Sequence, residues 1–179
     1  MADNSSLSIQ SMAQIAVCSA LLCVSSYIII PLPIIPIPFT LQFLAVVLVA
    51  LLLKPTHALI AQTLYTLLGI VGLPVFSGGK GGLGIIFSPT GGFIIGFIAT
   101  SFLISLLKGK KVSIFRYISV SVFVGIPVTY FFGIIFYILY ADTALETFSL
   151  FAVVDVLKCI VASLLANTIT KALNSKGLS

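Results

Sequence analysis

"GGKGGLGIIFSPTGG", residues 78–92, gathers seven of the chain's fourteen glycines around one lysine, between two hydrophobic stretches. What such a segment does depends on the solvent its flanks face. Hydrophobic residues make up 60% of the chain, charged residues 7%, and the mean hydropathy is +1.28. Nine basic and four acidic side chains cannot give 179 residues a solvated surface, so the chain belongs in a bilayer. The glycine stretch is therefore a connection between membrane segments.

Between charges and proline or glycine breaks there are six apolar spans: 12–30, 39–53, 58–71, 91–107, 117–140 and 148–170. A helix crosses the hydrocarbon core with about 20 residues, within a range of about 17–25. The second and third spans are short. A buried hairpin competes for that pair, but local thinning of the bilayer costs little, and six spans is the reading adopted. The spans are apolar all round, as expected of helices with lipid on one side and other helices on the other. Strands of about 10 residues alternating apolar and polar are absent, which disfavours a barrel. The expected fold is all-α: a single integral membrane domain, 1–179, of six transmembrane helices with a glycine-rich extracellular loop between the third and fourth. The first 53 residues carry one charge, Asp3, and no cationic n-region, so the first span reads as retained.

An even number of spans puts both termini on one side. The loops on that side hold Lys54 and the run Lys108 to Arg116, and the tail holds Lys171 and Lys176, so seven of the nine basic residues gather there. By the positive-inside rule that side is cytoplasmic. The net charge of +5 is thus a topology signal and needs no nucleic-acid partner. Two unusual connections fall outside. "PLPIIPIPF", 31–39, holds four of the eight prolines and must run extended. The other, 73–89, is long, glycine-rich and too apolar for a solvated linker, and reads as a lid over the outer helix ends. Gly79, Gly81 and Gly84 satisfy G-x-G-x-x-G but lack the strand, helix and acid of a dinucleotide site.

Asp155 and Lys158 are the second anomaly. Spaced three apart they share a helix face, and Asp155 lies roughly 12 Å along the last helix from Thr147. Each charge costs about 2.5–3.5 kcal/mol at the centre of a membrane helix, so the pair faces a partner or a cavity. Cys159, Ala162 and Ala166 continue that face with small side chains. The pair is the expected polar wall of an outward-opening cavity, the alternative being a self-satisfied structural ion pair.

Other chemistry lacks material. His57 is the only histidine and reads as part of a cytoplasmic turn; no metal or haem site can be assembled, no cofactor is implied, and no catalytic constellation exists. Cys18, Cys23 and Cys159 are scattered through the spans and form no disulfide framework. Thr143 and Glu146 resemble a capping box. Ala13, Ala16 and Ala20, then Gly92 and Gly96, then Gly125, Thr129 and Gly133 form small faces for helix contacts, and Pro127 should kink the fifth span. No repeat between halves is visible, and nothing in the chain hydrolyses ATP.

"PIPFTLQFLAVVLVALLLKP" (36–55), followed by "LYTLLGIVGLPVFSGGKGGLGIIFSPTGGFIIGF" (64–97), resembles the BioY family, the substrate-capture (S) component of energy-coupling factor (ECF) biotin transporters. The resemblance implies a six-helix bundle in a prokaryotic cell membrane that binds biotin from outside. It also implies a transmembrane coupling subunit and two cytoplasmic ATPases as partners, and delivery of the ligand by toppling in the membrane. The family's acid and lysine match Asp155 and Lys158. On that reading Phe39, Tyr65 and Phe87 are candidate apolar walls, Thr40 and Gln42 supplementary hydrogen bonders, and Lys80 either captures the biotin carboxylate or stays exposed. Ala13, Ala16 and Ala20 resemble the surface that docks on the coupling subunit. Two rivals remain: a proton-coupled carrier or channel with Asp155 and Lys158 as relay, and a structural subunit that binds no ligand.

Overall fold

The computed structural model describes residues 8–30, 39–140 and 147–175, and at 30, 39 and 147–150 the backbone alone. Its helices are α1 (Ile9–Ser25), α2 (Gln42–Leu52), α3 (Pro55–Ile70), α4 (Gly91–Leu107), α5 (Ile114–Val120), α6 (Ile126–Tyr140) and α7 (Thr147–Ser175). A π turn, Ser121–Gly125, joins α5 to α6, so Ile114–Tyr140 is one continuous rod and the described residues form six rods. Pro127 explains the turn: it has no N–H to give the carbonyl of Phe123, and the helix widens where the sequence predicts a kink. Ile114–Tyr140, with 27 residues, and Phe151–Ser175, with 25, are long and apolar enough to cross a membrane; α1, α2 and α4 are apolar but shorter. The expected capping box at Thr143 and Glu146 lies outside the described residues.

Several span boundaries shift for local reasons. Helix α1 starts early, because Ser8 caps it by accepting from the Ser11 amide at 3.1 Å. It ends early at a serine pair whose hydroxyls turn back to the carbonyls of Leu22 and Cys23, both at 2.8 Å. The β-branched run Ile28 to Ile30 then runs extended, and β1 (Ile29–Ile30) pairs antiparallel with β2 (Phe39–Thr40). Two-residue strands thus replace part of what the sequence reads as the first and second spans. Helix α3 begins at Pro55, whose fixed φ suits the first helical position, so His57 lies in its first turn.

Helix α2 is the centre of the bundle. Nine of its eleven residues are buried, and α1, α3, α4 and α7 all pack on it. Its all-round apolar character therefore reflects protein neighbours, where the sequence suggested lipid on one side. Helices α4 and α6 approach closely through their small residues. A Cβ at Gly92 would lie 2.2 Å from the Phe132 carbonyl oxygen, and one at Gly133 would lie 2.6 Å from the Phe93 ring. Deeper along the same seam the hydroxyls of Thr100 and Thr129 meet at 2.8 Å. The alanines on α1 behave differently: Ala13, Ala16 and Ala20 are exposed, and the buried face is Ile15, Cys18, Ser19, Leu22 and Ser25.

At the far end from the glycine loop, Lys108 closes α2. Pro55 has no N–H for the Leu51 carbonyl, and Lys54 is extended before it, so the last carbonyls of α2 lack helical donors. The Lys108 ammonium donates to the carbonyls of Ala50, Leu51 and Leu53 at 3.1, 2.7 and 2.5 Å. This contact brings the connections at 54 and 108–116 to one end of the bundle. Replacing Lys108 by methionine keeps the stem and removes the donors, and should cost about 1.5–3 kcal/mol in denaturant unfolding from detergent. Burial pushes the ammonium down from 10.5 to about 8. Between those two values the unfolded chain binds more protons than the folded one, so wild type gains stability relative to Lys108→Met as pH rises. Below about pH 8 the difference should be flat. The opposite slope would mean that the three carbonyls hold the charge more strongly than burial opposes it.

Candidate functional site

A cavity of about 700 Å³, its open mouth included, lies among the glycine loop, the start of α2, α4, α6 and α7. Each wall follows from local structure. The two-residue strand β2 aims Thr40 and Gln42 inward as α2 begins, and Phe43 follows on the first turn. Phe93, Ile94 and Phe97 form one face of α4, and Phe43 stacks on Phe97 with ring centres 6.2 Å apart. Phe76 and Ile85 come from the loop and Phe151 from α7, so the lining is mainly aromatic and aliphatic.

The polar wall is Asp155 with Lys158, both buried on α7. Lys158 Nζ lies 2.9 Å from Asp155 Oδ1 and donates to the Thr40 carbonyl at 2.8 Å. Asp155 Oδ2 accepts from the Tyr130 hydroxyl at 2.8 Å, and the Tyr130 ring sits edge-on to Phe93. The acid, lysine and phenol thus come from two helices and are tied to the strand before α2. In a low-dielectric pocket such charge-assisted bonds are strong, and they orient acceptor and donor atoms toward whatever enters. The Ser77 hydroxyl also lines the cavity and is buried with no hydrogen-bond partner among the described residues.

The other sequence candidates separate into three groups. Thr40 and Gln42 line the cavity. Tyr65 is fully buried one layer behind: its hydroxyl accepts from the Gln42 amide, and its ring stands edge-on to Phe76 at 5.8 Å, so it backs two lining residues. Lys80 and Phe87 are exposed and are not among the lining residues, because Lys80 pairs with Phe76 in a tight turn and Phe87 follows the 3₁₀ turn Leu83–Ile85 outward. The Phe39 side chain lies outside the described residues; its backbone pairs with Ile30. Sequence reasoning missed Tyr130, Ser77 and the aromatic face of α4. Tyr130 alone left a signal, a polar ring inside an apolar span.

The fold is a helical bundle, two of whose rods are long and apolar enough to cross a membrane, with a cavity at one end. The chain belongs to the BioY family, whose profile matches residues 1–175. It is 37% identical to "Biotin transporter BioY" of Thermotoga maritima over 157 residues, 86% of this chain and 91% of that protein. To "Probable biotin transporter BioY" of Bacillus subtilis it is 35% identical over 145 residues, 78% of each. Its fold matches a crystal structure of the S-component for biotin from an ECF-type ABC transporter with a TM-score of 0.82 at 25% identity, covering 96% of this chain and 95% of that one.

Proposed function

We propose that the chain captures biotin from the extracellular side and delivers it inward as the S component of an ATP-driven ECF transporter. The observation that carries this reading is the buried Asp155–Lys158 pair facing a mainly apolar cavity, in a chain of this family. Biotin has a ureido ring with two N–H donors and one carbonyl, an apolar thiophane ring and alkyl chain, and a terminal carboxylate. Asp155 suits the N–H groups and Lys158 the ureido carbonyl, since a ligand carboxylate beside Asp155 would set like charges together. Thr40 and Gln42 supplement them, with Tyr65 supporting Gln42 from behind. Phe39 remains a candidate wall. The carboxylate then points to the loop side, where Ser77 offers a hydroxyl and Lys80 and Phe87 are held outside.

In this role the chain acts as one membrane domain with six spans, the glycine loop outside and both termini in the cytoplasm. Seven basic residues on one side support that orientation. Its partners are a transmembrane coupling subunit and two cytoplasmic ATPases, with the exposed Ala13, Ala16 and Ala20 as the docking face. Catalysis by this chain has no part in the role.

Calorimetric titration of biotin into the ligand-stripped chain in detergent tests the reading. Tight one-to-one binding is expected, and Tyr130→Phe should weaken it by about tenfold or more through loss of one bond to a buried carboxylate. Absence of binding by folded wild type would overturn the assignment. Proton-coupled transport by the chain alone in vesicles would favour the relay instead.

A further inference from the structure

We infer that Tyr27 is a positioning residue for the cavity: the turn that follows α1 clasps both the glycine loop and the entry to α2, and the Tyr27 hydroxyl fastens the loop side. The inference rests on the biotin-capture reading for its consequence, but the clasp itself is visible in the hydrogen bonds.

On the loop side, Tyr27 Oη donates to the Pro74 carbonyl, and the Gly78 amide donates to the Ser26 carbonyl at 3.3 Å. The Tyr27 ring lies against Gly79, where an added Cβ would sit 3.3 Å from the ring edge. On the other side, the Leu41 amide donates to the Ile28 carbonyl at 3.0 Å, and Ile29 pairs with Thr40. Both clasped segments build the cavity. Phe76 and Ser77 lie between the two loop attachments, and the Thr40 carbonyl holds the Lys158 ammonium.

The loop has a second, deeper anchor. Phe76 packs on Gly69 so closely that a Cβ there would fall 2.2 Å from its ring, and the Gly82 amide donates to the Gly69 carbonyl at 2.7 Å. That anchor fixes the foot of the loop on α3. The tip is different: Gly78 and Gly79 have φ of +75° and +71°, and neither has a side chain to pack. Within the loop the tip amides bond back to the Phe76 carbonyl, and from outside the loop, among the described residues, the tip is met by the Ser26 carbonyl and the Tyr27 ring. Tyr27 itself is 53% exposed, so its hydroxyl can be removed with little loss of core packing. On this reading a ligand leaves past Ser77 by lifting the stretch beyond the Phe76 anchor, and the attachments at 26–27, the Tyr27 bond among them, oppose the lift.

Tyr27→Phe keeps the ring and removes the fastening. Dissociation of radiolabelled biotin from the detergent-solubilised chain should become about threefold to tenfold faster, the span of one net hydrogen bond. Hydrogen exchange should quicken in peptides covering 73–82 and not in those covering α2 or α7, while the unfolding temperature falls by no more than about 5 °C. Dissociation and loop exchange both within twofold of wild type would overturn the inference. So would exchange that rises equally throughout the chain, since that marks general loosening. If wild type fails to bind biotin, the capture reading falls, and the exchange comparison alone decides the clasp.

Discussion

Titration of biotin into Asp155→Asn should show affinity about 30-fold or more below wild type, because truncating a buried hydrogen-bonded charge costs roughly 2–5 kcal/mol. Asparagine keeps the shape of the side chain but loses the charge that faces Lys158 at 2.9 Å and takes the Tyr130 hydroxyl at 2.8 Å. It also strands Lys158 inside the bundle, so the variant should lose about 3 kcal/mol or more of stability. The double variant Asp155→Asn with Lys158→Met separates the two effects. Removing both charges should recover much of the stability, since no uncompensated charge is then left buried. It should not recover affinity. Biotin binding at wild-type strength by the double variant would make the pair structural and place the ligand elsewhere.

Gly92→Val should unfold or splay the seam between α4 and α6. The added Cβ would meet the Phe132 carbonyl oxygen at 2.2 Å and the Phe136 Cβ at 2.7 Å, and a backbone carbonyl in a helix cannot move aside as a side-chain end can. Overpacking costs about 1–3 kcal/mol and occasionally more; contact with backbone puts this case at or above the upper end. The damage should reach the cavity, because Phe93 and Tyr130 meet across the same seam with ring centres 6.1 Å apart. Gly84→Ala is the control: nothing among the described residues lies within 4 Å of the added Cβ, and the change should stay within about 0.5 kcal/mol. Thermal unfolding in detergent distinguishes the two. Equal stability for both variants would mean that the helices separate freely, contrary to their close packing.

Much of the candidate site was legible before any coordinates. Asp155 and Lys158 stood out because charges are rare in this chain and costly in a membrane helix. Thr40 and Gln42 were reached through their place at the mouth of the second span, and both line the cavity. Lys80 and Phe87 belonged to the right loop, but the tight turn at 76–80 leaves Lys80 outside and the 3₁₀ turn Leu83–Ile85 leads Phe87 outward. No sequence rule predicts where a side chain on such a loop will point. Phe93 left no signal and Tyr130 only a polar ring inside an apolar span, because their role depends on which helix packs beside α7 and α4.

The helices themselves were legible to within a few residues, except where local hydrogen bonding competes with hydrophobicity. The run Tyr27 to Ile30 looks like the end of a membrane span, yet two serine hydroxyls end α1 before it and the isoleucines pair as a strand. Those serine and isoleucine signals were present in the sequence but were outweighed by the apolar count.

What the sequence by itself determined is the solvent and the anomaly: a chain for a bilayer, with one charged pair placed where lipid cannot accept it. Both follow from composition and from the desolvation of single residues, which need no knowledge of neighbours. The tertiary structure alone decided that α2 is ringed by protein, that the small face of α1 is exposed, and that Tyr130 completes the charged wall. A helix that is apolar on every side carries no pattern separating the face that meets lipid from the face that meets protein. Only the packing of one helix against another supplies that distinction.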